Sequence, residues 1–294
     1  RRCLRYCCTL TQSWIHKPVF ADNHNPRTVT QAYLGVAWSV STEVFFYATF
    51  PLVIPALKRL SRPKSIVLAA TVIFVVYAAL DLWMCGGKSP HTLFGGYSRE
   101  RWLLYLSPYG RIGEFWIGCL VGRFYAITAQ RTPGLWENRL AGALAWSCLP
   151  ALYFFTTLVG TNPLIDQLHL NVGLAPICSV LIYCLARYRS GLQRVLGNRL
   201  FVLLGESSYC LFLLHPLVQS FFAQRTPGEA ELKEWYVVTY NHVMMFVVMH
   251  MLALGFYQFY ELPLRTWIRG CLNPAPKQVI LSFPQFASLK SRAA

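Results

Sequence analysis

The chain has 294 residues, of which 55% are Ala, Val, Ile, Leu, Met, Phe, Trp, Tyr or Cys and only 13% are charged. Soluble domains carry roughly 25% charged residues, so this composition excludes a disordered chain and argues against a globule with a water-facing surface. The net charge of +15 does not point to nucleic acid, because Lys and Arg sit in short segments between apolar runs and not as a stripe on one folded face.

The apolar residues gather in runs near twenty long, the length a helix needs to cross about 30 Å of hydrocarbon. Alternating segments of about ten residues, the mark of a barrel, are not seen. The expected fold is all-α, a polytopic transmembrane helical bundle with about seven spans: 41–57, 65–84, 103–127, 139–160, 170–187, 200–223 and 236–260. Residues 1–294 read as a single membrane domain, with 265–294 as a cytoplasmic tail.

The loop from Lys58 to Lys64, with Arg59 and Arg62 between them, belongs in the cytoplasm by the positive-inside rule. Alternation then agrees with most charges: 161–169 has no Lys or Arg on the outside, whereas Arg187, Arg189, Arg194 and Arg199 fall inside. Two places run against it, the loop 85–102 with Lys88, Arg99 and Arg101, and the leader with Arg1, Arg2 and Arg5. Residue 1 is Arg and no signal-peptide core follows it. The chain is therefore expected to begin partway through a longer protein, whose upstream spans would account for the leader.

The ten cysteines show no metal-ligand spacing. Cys119, Cys148, Cys178, Cys184 and Cys210 lie within apolar runs as small hydrophobes, and the adjacent Cys7-Cys8 could not easily close a disulfide. Gly118 and Gly122 form a small-xxx-small pattern that would let another helix approach closely.

Ionisable groups inside a span are costly and each needs a reason. In Trp38-Ser39-Val40-Ser41-Thr42-Glu43-Val44-Phe45-Phe46-Tyr47, residues Ser39, Glu43 and Tyr47 fall near one helical stripe. Glu43 reads either as an interfacial acid near a helix start, with Trp38 and Tyr47 in the aromatic belt, or as a functional group. Arg111 and Glu114 are spaced to pair across one turn, as a structural ion pair or as an anion clamp. His215 lies past the middle of the sixth span, and a lone histidine there is often a hydrogen-bonded packing residue. His242 and His250 are too far apart along a helix for one metal ion. Glu43, Arg111, Glu114, His215 and His242 all map to the outer half of their spans, so a shared polar cavity opening outward is expected.

These segments resemble the acyltransferase-3 family of multispanning membrane O-acyltransferases, which decorate bacterial surface polysaccharides and related glycans. Trp38–Tyr47 followed by Phe50-Pro51-Leu52 is similar to its "WS-x-S-x-E-x-x-F/Y-Y" block, and Arg111–Gly118 to its "R-x-x-EF-x-x-G" helix. Leu204–His215 resembles its "LG-x-x-SY-x-LYLLH" helix, and Tyr260–Arg265 its closing "E-x-P-x-R". Leu10-Thr11-Gln12-Ser13-Trp14 is similar to a short family segment upstream.

The resemblance implies transfer of an acyl group, commonly acetyl, to a glycan hydroxyl outside the cytoplasm. The donor would be cytoplasmic acetyl-CoA or another acyl-CoA, with no tightly bound cofactor and no metal. It implies catalytic roles for Glu43, which would orient a histidine or the acceptor, for Arg111, which would stabilise anionic charge, and for His215. Trp38, Ser39, Tyr47, Glu114, Tyr209 and Glu261 would bind substrate, with Glu114 holding Arg111 and Glu261 anchoring the inner end of the last span. It also implies residence in a bacterial inner membrane. The family's first helix carries a histidine base after a basic residue, and nothing before residue 10 matches it. A transporter, with the same polar groups marking a solute or proton path, and a non-enzymatic binding remnant are the rival readings.

Overall fold

The computed structural model describes residues 9–14, 18–20, 27–28, 36–86, 99–169, 171–223 and 235–272. The leader arginines, Cys7-Cys8, Lys88, the loop 224–234 and the tail beyond 272 lie outside the described residues. The chain divides into two compact units, residues 1–202 and 203–294.

Helices occur at all seven expected places. They are α1 (Trp38–Arg59), α2 (Pro63–Cys85), α3 (Pro108–Thr128), α4 (Leu135–Thr157), α5 (Pro163–His169), α6 (Ala175–Arg187), α7 (Gly191–Leu196), α8 (Arg199–Ala223), α9 (Trp235–Phe256) and α10 (Leu262–Leu272). A two-stranded antiparallel ribbon, Pro18–Phe20 with Arg27–Thr28, is the strand structure among the described residues. Five helical stretches are long and apolar enough to cross a bilayer: α1, α2, α4, α8 and the continuous run Thr239–Leu272. The chain is an integral membrane protein built from helices.

The other two expected spans differ for local reasons. The run read as 103–127 is a π-helical turn, Trp102–Leu106, followed by a fresh start at Ser107-Pro108. Proline disfavours helical backbone in the residue before it and is at home in the first turn of a new helix. Accordingly Ser107 is extended, and its hydroxyl accepts the Gly110 N–H at 3.3 Å as an N-cap. The run read as 170–187 is a 3₁₀ turn, Val172–Leu174, and a 13-residue α6. At 1.5 Å per residue α6 is about 20 Å long, shorter than the hydrocarbon layer.

The remaining ends follow ordinary rules. Lys58 and Arg59 occupy the last turn of α1, where cations complement the helix dipole. Pro63 opens α2, and Gly86, at φ +55°, closes it in the left-handed conformation that suits glycine. Residues 265–272, read as the start of a cytoplasmic tail, belong to α10, which is helical from Leu262 to Leu272.

Within the first unit α3 is central and packs on α1, α2 and α6. It runs antiparallel to α2: Arg123 near its end donates Nε to the Leu60 carbonyl at 3.0 Å, while Tyr77 far along α2 donates its hydroxyl to the Tyr109 carbonyl at 3.3 Å. Phe46 of α1 stacks on Phe115 at 4.8 Å, and Phe124 meets Tyr183 of α6 edge-on at 5.0 Å. A second core joins Ala141 and Ala145 of α4 to Cys184 of α6 and Leu192 of α7.

Within the first unit a close helix approach falls on Gly113 and not on Gly118 or Gly122. A Cβ on Gly118 or Gly122 would meet nothing described within 4 Å, whereas one on Gly113 would sit 2.7 Å from the Tyr77 ring. Gly113→Leu is therefore expected to lose about 1–3 kcal/mol, the usual cost of overpacking, and Gly118→Ala almost nothing. Thermal unfolding in detergent separates them, and equal midpoints for the two variants would remove Gly113 as the contact.

Candidate functional site

The start of α1 is fastened to the segment before it. Ser13, fully buried, donates its hydroxyl to Ser41 Oγ at 2.7 Å, and its backbone N–H reaches the same oxygen at 3.1 Å. Trp14 Nε1 donates to the Ser41 carbonyl at 3.0 Å, and Gln12 Nε2 to the Ala37 carbonyl at 2.9 Å. Trp102 of the π turn adds a bond to the Ser13 carbonyl at 3.1 Å. Ser41 and Thr42 thus spend the buried polar face of α1 on holding Ser13 and Trp14, a structural use that their place in the motif did not reveal.

The neighbouring face of α1 brings Trp38 to α3. The Arg111 guanidinium lies 5.8 Å from the Trp38 ring centre and 5.2 Å from that of Tyr105, whose rings are themselves 5.2 Å apart. Arg111 Nη1 pairs with the Glu114 carboxylate at 3.1 Å. Both side chains remain partly accessible, 23% and 31%, while two aromatic faces and one carboxylate hold the cation.

Behind this pair lies a polar centre that the sequence reading did not single out. Asp81 of α2 is fully buried and Asn171, just before the 3₁₀ turn, is 2% exposed. Asn171 Nδ2 donates to the Gly110 carbonyl at 2.7 Å and to Asp81 Oδ1 at 3.5 Å. Asp81 also takes the Val172 N–H and is within electrostatic reach of Arg111 and Glu114. The signal was available, since Asp81 is the one acid in the apolar run 65–84, and an ionisable residue inside a span is a candidate by default.

The other expected residues of α1 are placed separately. Glu43 is half-buried, with the Tyr47 hydroxyl bonded to it one turn on, which bears out their common stripe. Ser39 donates its hydroxyl to the Val36 carbonyl at 3.0 Å, within its own helix start. Trp38, Arg111 and Glu114 are therefore the expected residues that the first unit gathers in one place.

In the second unit His215 sits with Nδ1 2.6 Å from the Phe212 carbonyl. Tyr209 is 39% exposed on the same helix. Glu261 accepts the Cys210 thiol at 3.0 Å, and the Tyr257 hydroxyl donates to Glu206 at 2.6 Å, with Arg265 Nη2 3.5 Å from that hydroxyl. Cys210, Glu206 and Tyr257 were not expected as a group; two of the three lie in the quoted Leu204–His215 segment. His250 Nδ1 lies 2.8 Å from the Phe246 carbonyl, within its own helix. Among the described residues no three His, Cys, Asp or Glu side chains form a group able to hold a metal ion.

Chemically, the first unit offers a fixed, partly open cation with an aromatic wall, suited to an anionic group or to charge that develops on an oxygen. Comparison with known proteins agrees with the motifs. A family model described as an acyltransferase domain matches residues 7–257. A curated relative, acyltransferase MdmB of Streptomyces mycarofaciens, is 25% identical over 225 residues, which cover 75% of this chain and 52% of that protein. The chain spans about half the length of this curated relative. No solved structure matches the chain.

Proposed function

Because the chain belongs to the acyltransferase-3 family, whose domain covers most of its length, we propose that it is a membrane O-acyltransferase. It moves an acyl group, acetyl in the simplest case, from cytoplasmic acyl-CoA to a hydroxyl of an extracytoplasmic polysaccharide or lipid-linked glycan, in the inner membrane of a bacterium. The acceptor oxygen attacks the thioester carbonyl while the base takes its proton, the new C–O bond forms, the C–S bond breaks, and the base passes that proton to the departing sulfur so that CoA leaves as its thiol. Residues 1–294 act in this reading as one membrane domain, with its tail in the cytoplasm.

The observation that carries the proposal is Arg111 against Trp38, Tyr105 and Glu114. A guanidinium held in that way is already oriented before charge develops on the thioester oxygen, which is where such groups contribute most. Glu43, bonded to Tyr47, orients the acceptor or a histidine, and Ser39 shapes the same helix start. His215 is the proposed base among the described residues. A neutral imidazole that donates from Nδ1 to the Phe212 carbonyl keeps its lone pair on Nε2, the nitrogen able to take a proton. Tyr209 and Glu261 are proposed to bind substrate.

The test uses the full-length protein in membrane vesicles with labelled acetyl-CoA on the cytoplasmic side. Label is expected in glycan, lost in Glu43→Ala and lowered about 10²–10⁴-fold in His215→Gln, the range for removal of a general base. Both variants are expected at wild-type membrane abundance. Solute counterflow with no labelled glycan would overturn the enzyme reading, and undiminished transfer in either variant would remove that residue from the site.

A further inference from the structure

The first unit contains a groove of ≈ 340 Å³ between α2, α3 and α6, lined by Ile66, Val67, Phe74, Leu120, Phe124 and Val180 among others. The wall is almost wholly hydrocarbon. The Tyr183 hydroxyl, one of its few polar atoms, is engaged with Thr128 at 3.0 Å. Val67 and Val180 are 54% and 41% exposed, so the groove opens sideways from the first unit, at the depth of these spans.

Its end is marked by charge. Ile66 and Val67 lie two and three residues beyond Lys64, which at 1.5 Å per residue places the groove within a helical turn of the basic loop. Arg123, next to the lining residue Phe124, ties that loop down by donating to the Leu60 carbonyl at 3.0 Å and the Lys58 carbonyl at 3.4 Å. Lys58, Arg59, Arg62 and Lys64 put four cations and no acid into seven residues, and all four are exposed.

We propose that this groove binds one acyl tail of an anionic phospholipid, whose phosphate rests on the Lys58–Lys64 loop. An apolar slot that begins at a cluster of cations is complementary to a ligand with one charged end and one hydrocarbon end. A zwitterionic lipid satisfies the slot but not the loop. This assignment does not depend on acyl transfer, because it concerns a face of α2, α3 and α6 away from Arg111 along the helices.

The experiment is photo-crosslinking in nanodiscs, using phosphatidylglycerol with a diazirine near the end of one tail and the same probe on phosphatidylcholine. Peptides containing 66–74, 117–124 and 176–183 are expected to take label from phosphatidylglycerol in preference to phosphatidylcholine. Ala70→Trp, which fills the groove, is expected to abolish that label while leaving label on lipid-facing Trp83 of α2 unchanged. Arg62→Gln and Lys64→Gln, both on the exposed loop, are expected to cut the preference about fivefold per charge removed. Equal labelling by the two lipids, or no response to the loop variants, overturns the proposal. So does full displacement of label by excess palmitoyl-CoA, which would assign the groove to an acyl-CoA instead.

Discussion

Arg111→Lys is expected to lower acyl transfer by about 10²-fold or more, with the protein still present in the membrane at wild-type level. Lysine keeps the positive charge, so an effect that depended on charge alone would survive the change. The arginine site depends on shape as well. Its guanidinium faces Trp38 and Tyr105 at 5.8 and 5.2 Å and pairs with Glu114 at 3.1 Å, contacts suited to a flat, delocalised cation. An ammonium is a compact point charge on a flexible stem, more strongly hydrated, and cannot present two parallel N–H donors to a developing oxyanion. Loss of one preoriented donor at such a position commonly costs about 10²–10³ in rate. Glu114→Gln keeps the size of the partner while removing its charge, and is expected to cost less. The measurement is the initial rate of labelled acetyl transfer in vesicles, normalised to protein abundance. A Lys variant retaining more than a tenth of the wild-type rate would show that the aromatic clamp serves packing only.

The helices of this fold were legible because hydrophobic run length carries most of the information about a membrane protein. The runs at 65–84 and 200–223 map directly onto α2 and α8. Boundaries that depend on backbone chemistry were less legible: the apolar pattern of 103–127 ran straight through Ser107-Pro108, where the π turn ends and α3 begins. The shortness of α6 comes from the turn Asn171–Leu174, where Gly173 lies so close to the Leu168 carbonyl that a Cβ would stand 2.7 Å from it. Hydropathy does not register a contact of that kind. The site divides in the same way. Arg111 and Glu114 are three residues apart, so their pairing follows from helical geometry, but Trp38 comes from a distant part of the chain and Tyr105 from across the break at Ser107-Pro108. The bonds from Ser13 to Ser41 and from Asn171 to Gly110 join residues 28 and 61 apart, and no local pattern in a single sequence predicts them.

Asp81 gives the sharpest test of what holds the first unit together. It is fully buried, and with Asn171 it ties α2 to the first turn of α3 and to the turn that opens α6. Asp81→Ala removes the acceptor for the Val172 N–H, weakens the hold on Asn171 and leaves a small void. With each orphaned buried group costing about 1–3 kcal/mol, a loss of about 3 kcal/mol is expected. Asp81→Asn behaves differently. In the native chain Asp81 Oδ2 and Asn171 Oδ1 are both buried acceptors with no hydrogen-bond partner. An amide at position 81 keeps one oxygen for Asn171 and Val172 and supplies the donor that this pair of acceptors lacks, so its stability is expected within about 1 kcal/mol of wild type, or above it. Reversible unfolding of the detergent-solubilised protein measures both variants, and an Asn171→Ala partner completes a double-mutant cycle. If Asp81→Asn proves as damaging as Asp81→Ala, hydrogen bonding is not what the carboxyl contributes. The carboxyl's electrostatic influence on Arg111 and Glu114, a few residues along α3, would then be the reason a carboxylic acid stands inside an otherwise apolar span.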